Sequence, residues 1–166
     1  MEAVEALYRR SLIERGHARG SFALQSVVLE YLTGRLIADI SDEIAEGRLD
    51  RLVQQGLELT GSPENVRQTQ ERMILKPILT ILNDATDAEA LLRDHLNTLR
   101  DGVESAQGYA PSNLVNLLRL LRGHLRGLDL SNLVLREVPL QAVEMQDAAL
   151  NGALVRDCTF TENFDG

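Results

Sequence analysis

Residues 123–162 read GHLRG LDLSN LVLRE VPLQA VEMQD AALNG ALVRD CTFTE, eight five-residue units in unbroken register. The third place of every unit is apolar: Leu125, Leu130, Leu135, Leu140, Met145, Leu150, Val155 and Phe160. The first place is small or apolar, from Gly123 through Leu128, Leu133, Val138, Val143, Ala148 and Ala153 to Cys158. The places between and after are mainly polar, with Asp129, Arg136, Glu144 and Asp147 among them. A period of five fits neither a helix of 3.6 residues per turn nor the two-residue alternation of a strand. It predicts a square solenoid in which each unit forms one wall and turns two side chains inward. Such an architecture stacks and recognises; it brings no chemistry of its own.

The stretch resembles the pentapeptide-repeat family, whose unit reads Ala-(Asp/Asn)-Leu-x-x. Leu128 to Asn132 and Ala148 to Gly152 carry the resemblance, and Cys158 to Glu162 shows the variant with a small residue followed by Phe. The resemblance implies a right-handed quadrilateral β-helix with four units per turn. Eight units then give two turns, each rising ~4.8 Å. The inner small position is enlarged to Leu or Val from Leu128 to Val143, which implies a wider coil there. A Leu-rich amphipathic helix is the competing reading, and eight apolar centres in eight units argue against it.

Composition bounds the rest. The chain has 166 residues, 44% hydrophobic, enough for one packed domain or two small ones. Aromatic residues make up 4% and Trp is absent, so the expected core is aliphatic. The net charge of −8 disfavours a phosphate-binding surface as a bulk property and leaves room for local Arg patches. The single cysteine, Cys158, rules out an internal disulfide and a Cys-based zinc cluster, and its inner position predicts a small buried thiol. No secretory leader and no apolar run of about 18 residues is present, so a cytoplasmic location without membrane contact is the expectation.

Upstream, apolar residues at helical spacing (Val4, Leu7, Tyr8) predict a first helix. Two short runs, Ser11–Arg15 and Ser21–Gln25, flank a Gly-bounded polar turn and predict a hairpin. A long helix is expected from Val27 to about Glu46, with Val28, Tyr31, Leu32, Leu36, Ile40 and Ile44 on one face and Gly47 as its stop. A shorter helix follows to Leu59. Ser62-Pro63-Glu64 starts the next, which Pro77 should kink or split near Lys76. Thr86 and Glu89 have capping-box spacing before a further helix. A last helix from Pro111 or Ser112, apolar at Leu114, Leu117, Leu118 and Leu121, leads into the five-residue units and would cap the solenoid.

The run from Arg10 to Ile13, then Phe22 to Leu32, resembles the winged-helix part of bacterial signal-transducing STAND ATPases of the NB-ARC and NACHT types. In that family a His after the wing contacts bound ADP. The matching position here is Gln25, which lacks a switchable charge. No Gly-x-x-x-x-Gly-Lys-Ser/Thr loop is present, so the ATPase core is missing. The resemblance implies a detached middle piece of such a protein, where repeats or a WD-repeat propeller often follow.

The expected fold class is therefore α+β: a mainly α-helical N-terminal region with a winged-helix-like hairpin, then a short pentapeptide-repeat β-helix. The expected divisions are 1–34 for the partial winged-helix-like unit, 27–107 for a helical connector, and 108–166 for capping helix and solenoid. No catalytic or metal constellation emerges. His17, His95 and His124 lack a second ligand at metal spacing, and the acidic pairs around Asp42, Asp84 and Glu144 read as solvated faces. Arg9, Arg10, Arg15 and Arg19 form the one basic concentration. The reading is a non-enzymatic interaction or scaffold module without cofactor. A protein partner, a second copy or a continuation of the parent chain would cover the solenoid's C-terminal end. The alternatives are an acidic DNA mimic acting on a topoisomerase and a winged-helix DNA-binding regulator.

Overall fold

The computed structural model describes residues 2–16, 20–58 and 61–159. The chain divides into two compact units, Met1–Ala38 and Asp39–Gly166, and the division falls within a helix.

The first unit holds α1 (Glu2–Arg9), an antiparallel hairpin of β1 (Ile13–Arg15) and β2 (Phe22–Leu24), and the N-terminal half of α2 (Ser26–Ala45). Ile13 pairs with Leu24 and Arg15 with Phe22. The Gln25 N–H donates to the Leu12 carbonyl at 3.2 Å and joins the hairpin to the helix start. Tyr8 meets Phe22 edge to face with ring centroids 6.4 Å apart, and the Arg15 guanidinium lies 6.0 Å from the Tyr8 ring centre. His17 and Arg19 lie outside the described residues.

In the second unit, α2 ends on paired C-terminal bonds. Gly47, at φ 76°, donates to the Ile44 carbonyl, and Arg48 donates to the Glu43 carbonyl at 2.8 Å. The left-handed turn this closure needs is what glycine supplies freely. Then come α3 (Asp50–Gln54), α4 (Glu64–Gln70), a π-helical turn (Glu71–Leu75), α5 (Lys76–Ala85), α6 (Ala88–Arg100), a 3-10 turn (Glu104–Ala106) and α7 (Ala110–Arg122). Near Lys76 the helix is divided by the π turn, which passes directly into α5. The ladder widens into the π turn, with the Lys76 N–H reaching the Glu71 carbonyl, so Pro77 sits where its missing donor is not needed. The cap of α6 is Asp87, which accepts from the Ala90 N–H at 3.1 Å, rather than Thr86.

Helix α7 is the axis of this unit. Nine successive residues, Ala110 to Leu118, are buried, so the helix is enclosed on every side rather than along one stripe. Helices α3, α5 and α6 and strand β3 (Val134–Arg136) pack against it.

The C-terminal stretch corrects the main expectation. No closed β-helix forms among the described residues. Among the described residues this stretch holds one parallel pair of three-residue strands, β3 and β4 (Leu154–Arg156), with two isolated bridges, Asp129 to Ala149 and Pro139 to Thr159. The molecule is mainly α-helical, with two small two-stranded sheets. The five-residue period is realised as corners. Gly127, Asn132, Glu137, Ala142, Asp147, Gly152 and Asp157 all take positive φ, between 53° and 70°. The chain returns on itself once, at an offset of twenty residues, as in Val134 opposite Leu154. A solenoid derives its stability from a repeated interface between layers, and one return supplies a single interface. The α-helices carry the fold, and β3 is an accessory to α7.

Candidate functional site

The described residues gather no catalytic constellation. His95 is buried, and its Nε2 lies 2.8 Å from the Ile44 carbonyl, which can only accept, so Nε2 carries the proton and ties α6 to the end of α2. Glu43, beside Asp42, accepts from the Arg51 N–H at 2.9 Å and pairs with the Arg51 guanidinium at 3.1 Å. Glu144 pairs with Arg126 at 3.4 Å. Cys158 is part-buried, and burial pushes its thiol pKa up, opposite to what a nucleophile needs. Among the described residues no three His, Cys, Asp or Glu side chains converge as metal ligands. No helix of the described residues is long and apolar enough to cross a membrane.

What the first unit does have is exposed apolar surface. Val4, Leu7, Tyr8, Phe22, Leu24, Val27, Leu29, Tyr31 and Leu32 are all exposed, with Val27 at 76% and Tyr31 at 67%. Among the described residues, Ile13 is the one buried apolar side chain of this unit. The predicted face of α2 therefore splits. Ile40 and Ile44 are buried, Val28 and Leu36 are half-buried, and Tyr31 and Leu32 face solvent. The sequence carried a signal for this, since apolar residues occupy five of the six places from Val27 to Leu32, more than one helical stripe can hide. Gln25 is half-buried at the start of α2, its carbonyl accepting from the Leu29 N–H at 2.9 Å. Arg9 pairs with Glu5 at 2.9 Å and Arg15 lies over Tyr8, so two of the basic cluster's four residues are engaged within the unit.

Buried amides and ion clusters stitch the second unit. Asn113 on α7 accepts from the Leu57 N–H at 2.8 Å and donates to the Leu52 and Gln55 carbonyls at 2.9 and 2.8 Å. Gln107 donates to the Leu99 and Asn132 carbonyls and accepts from the Val134 N–H. The Ser112 hydroxyl accepts from the Arg136 N–H at 2.7 Å. Deeper lies Glu58, 2% exposed, which takes a hydrogen bond from Arg119 Nη2 at 2.9 Å while the same nitrogen serves Glu71 at 2.7 Å. Glu58 Oε1 is buried without a partner. Glu71 and Arg119, with Glu64 and Arg67, line an open cavity of about 300 Å³. Glu58, Glu71 and Arg119 are remote in sequence, and no spacing rule would have joined them.

The eight apolar centres fare unequally. Leu125, Leu130, Leu135 and Leu140 are buried. Met145 is half-buried, while Leu150 and Val155 are 40% exposed. Phe160 lies outside the described residues.

A curated relative, an uncharacterized WD repeat-containing protein of Nostoc sp. (strain PCC 7120), is 28% identical over 199 residues, which takes in 98% of this chain and 16% of its own length. The chain thus spans about a sixth of that relative. No family model matches the chain, and no solved structure matches it. The resemblances to pentapeptide-repeat proteins and to STAND ATPases are corrected accordingly. Neither has a matching family model, and the likeness found is to a protein named for WD repeats. The local patterns behind both readings, a five-residue period and a helix–hairpin–helix order, are compatible with many sequences.

Proposed function

We propose that this chain is a non-enzymatic protein-interaction module that works as one segment of a larger protein assembly. The observation that carries the reading is the uneven distribution of apolar surface. Among the described residues the first unit exposes nine large apolar side chains and buries one, whereas the second unit holds the rest of the core. Exposed apolar surface concentrated on one small unit marks an interaction site. A unit of 38 residues is also too small to hide that surface by itself. The likeness to a much longer WD repeat-containing protein supports the same reading, because repeat arrays offer extended binding surfaces. The DNA-mimic alternative requires a long charged rod, and among the described residues the five-residue units contribute one pair of three-residue strands and two isolated bridges. The regulator alternative draws on a basic cluster, two of whose arginines have partners within their own unit.

The test is photo-cross-linking in the native host. A benzophenone side chain replaces Val27 or Tyr31 on the exposed face of α2, with Asp84 on α5 as the control position. Specific adducts to one protein from both α2 positions and none from Asp84 are expected. Identical adduct patterns at all three positions, or none at any, would overturn the reading.

A further inference from the structure

We propose that Glu58, Glu71 and Arg119 form a pH-sensitive latch that fastens residues 52–58 to α7. The segment is held at two places. Asn113 binds Leu52, Gln55 and Leu57 through an amide that does not titrate. Glu58 binds Arg119, and there one guanidinium nitrogen is divided between two carboxylates, at 2.9 Å for Glu58 and 2.7 Å for Glu71. Arg67 on α4, the other cation near Glu58, is itself paired with Glu64. Three carboxylates thus face two guanidinium groups, and of the three only Glu58 is withdrawn from water, Glu64 being 61% exposed. Glu58 is the member that is nearly fully buried, and one of its oxygens has no donor. Taking up a proton at Glu58 removes the surplus.

Burial raises the Glu58 pKa above its ordinary value. Glu71 adds to the rise, while Arg119 and Arg67 oppose it. A carboxyl whose folded pKa is raised holds a proton that the unfolded chain has released. Its stabilising contribution is complete below the unfolded value of about 4.3. It is lost as pH climbs through the raised folded value. Ionised Glu58 then favours release of its segment from Arg119 and leaves the Asn113 amide as its remaining tie to α7.

The experiment follows thermal unfolding and amide hydrogen exchange of residues 52–58 from pH 4.5 to 8 in the full chain, for wild type, Glu58→Gln and Glu71→Gln. In wild type, protection of the segment should fall with rising pH. Glu58→Gln, which carries a neutral side chain of the same shape, should keep its protection and melt above wild type at pH 8. Glu71→Gln gives Arg119 wholly to Glu58 and should flatten the wild-type slope. Parallel curves for wild type and Glu58→Gln would overturn the latch. So would a Glu58→Gln chain that melts lower at every pH or fails to fold, because a neutral group at this position is what the latch requires. A Glu71→Gln chain with the full wild-type slope would also count against it.

Discussion

Two asparagines one turn apart on α7 separate burial from bonding. Asn113 and Asn116 are each 1% exposed. Asn113 satisfies three backbone groups of α3 and the segment after it, whereas the Oδ1 of Asn116 is buried without a partner. Truncating either to alanine leaves a similar void, but only Asn113→Ala also strands the Leu57 N–H and the Leu52 and Gln55 carbonyls. A buried polar group left unpaired costs about 1–3 kcal/mol. Asn113→Ala should therefore lower unfolding stability by on the order of 3 kcal/mol, and Asn116→Ala by clearly less. Chemical denaturation of the two variants checks this, and equal losses would mean that the amide clamp contributes nothing beyond its volume.

At the scale of elements, the approach to α7 depends on one glycine. Gly108 has φ 52°, and a Cβ there would fall on the Val53 carbonyl oxygen and within 2.8 Å of Val53 Cγ1. That carbonyl also accepts the Tyr109 N–H at 3.0 Å, the bond that brings the start of α7 against α3. Gly127 has a similar φ of 67°, with nothing within 4 Å of its added Cβ. Gly127→Ala should cost only the left-handed penalty of roughly 1–2 kcal/mol. Gly108→Ala should cost at least about twice that, because the backbone itself must move. Similar melting temperatures for the two variants would show that α3 and the turn before α7 separate without loss. These elements also mark what was legible in the sequence. Gly47 as a stop was a local signal that local geometry honoured, whereas Ser62-Pro63-Glu64 marked the start of α4 but not its cap, since Pro63 rather than Ser62 is the N-cap and no side chain bonds there. The five-residue period was equally visible, but it specifies where corners fall. It does not specify how much strand joins them, because that depends on how many layers stack. The enclosure of α7 and the exposure of Tyr31 were hidden for a related reason, since a periodic face does not say whether anything covers it. The Glu58 cluster was hidden because its members come together only in the fold.

Across the whole molecule, stability is concentrated in the second unit. Its core runs from Ile40 and Ile44 through Leu75, Leu82 and Leu92 to Leu114, Leu117, Leu125 and Leu130, all essentially inaccessible to water. The first unit contributes Ile13, one aromatic pair and a three-pair hairpin. Free energy follows buried apolar area at roughly 25 cal/mol per Å², so the two units should differ widely in resistance to opening. A chain of residues 39–166 should keep cooperative unfolding with a melting temperature within about 4 °C of the full chain, the size of shift that about 1 kcal/mol produces at this length. In the full chain, amides of Val28 to Leu36 should exchange long before those of Leu114 to Leu118, although both lie in regular helix. Loss of cooperativity in the 39–166 chain would show that the first unit is a structural part of the core. Persistence of the transition, joined with fast exchange over α2's exposed half, would show that this half is held in reserve for a partner, with its order supplied on binding rather than by the chain itself.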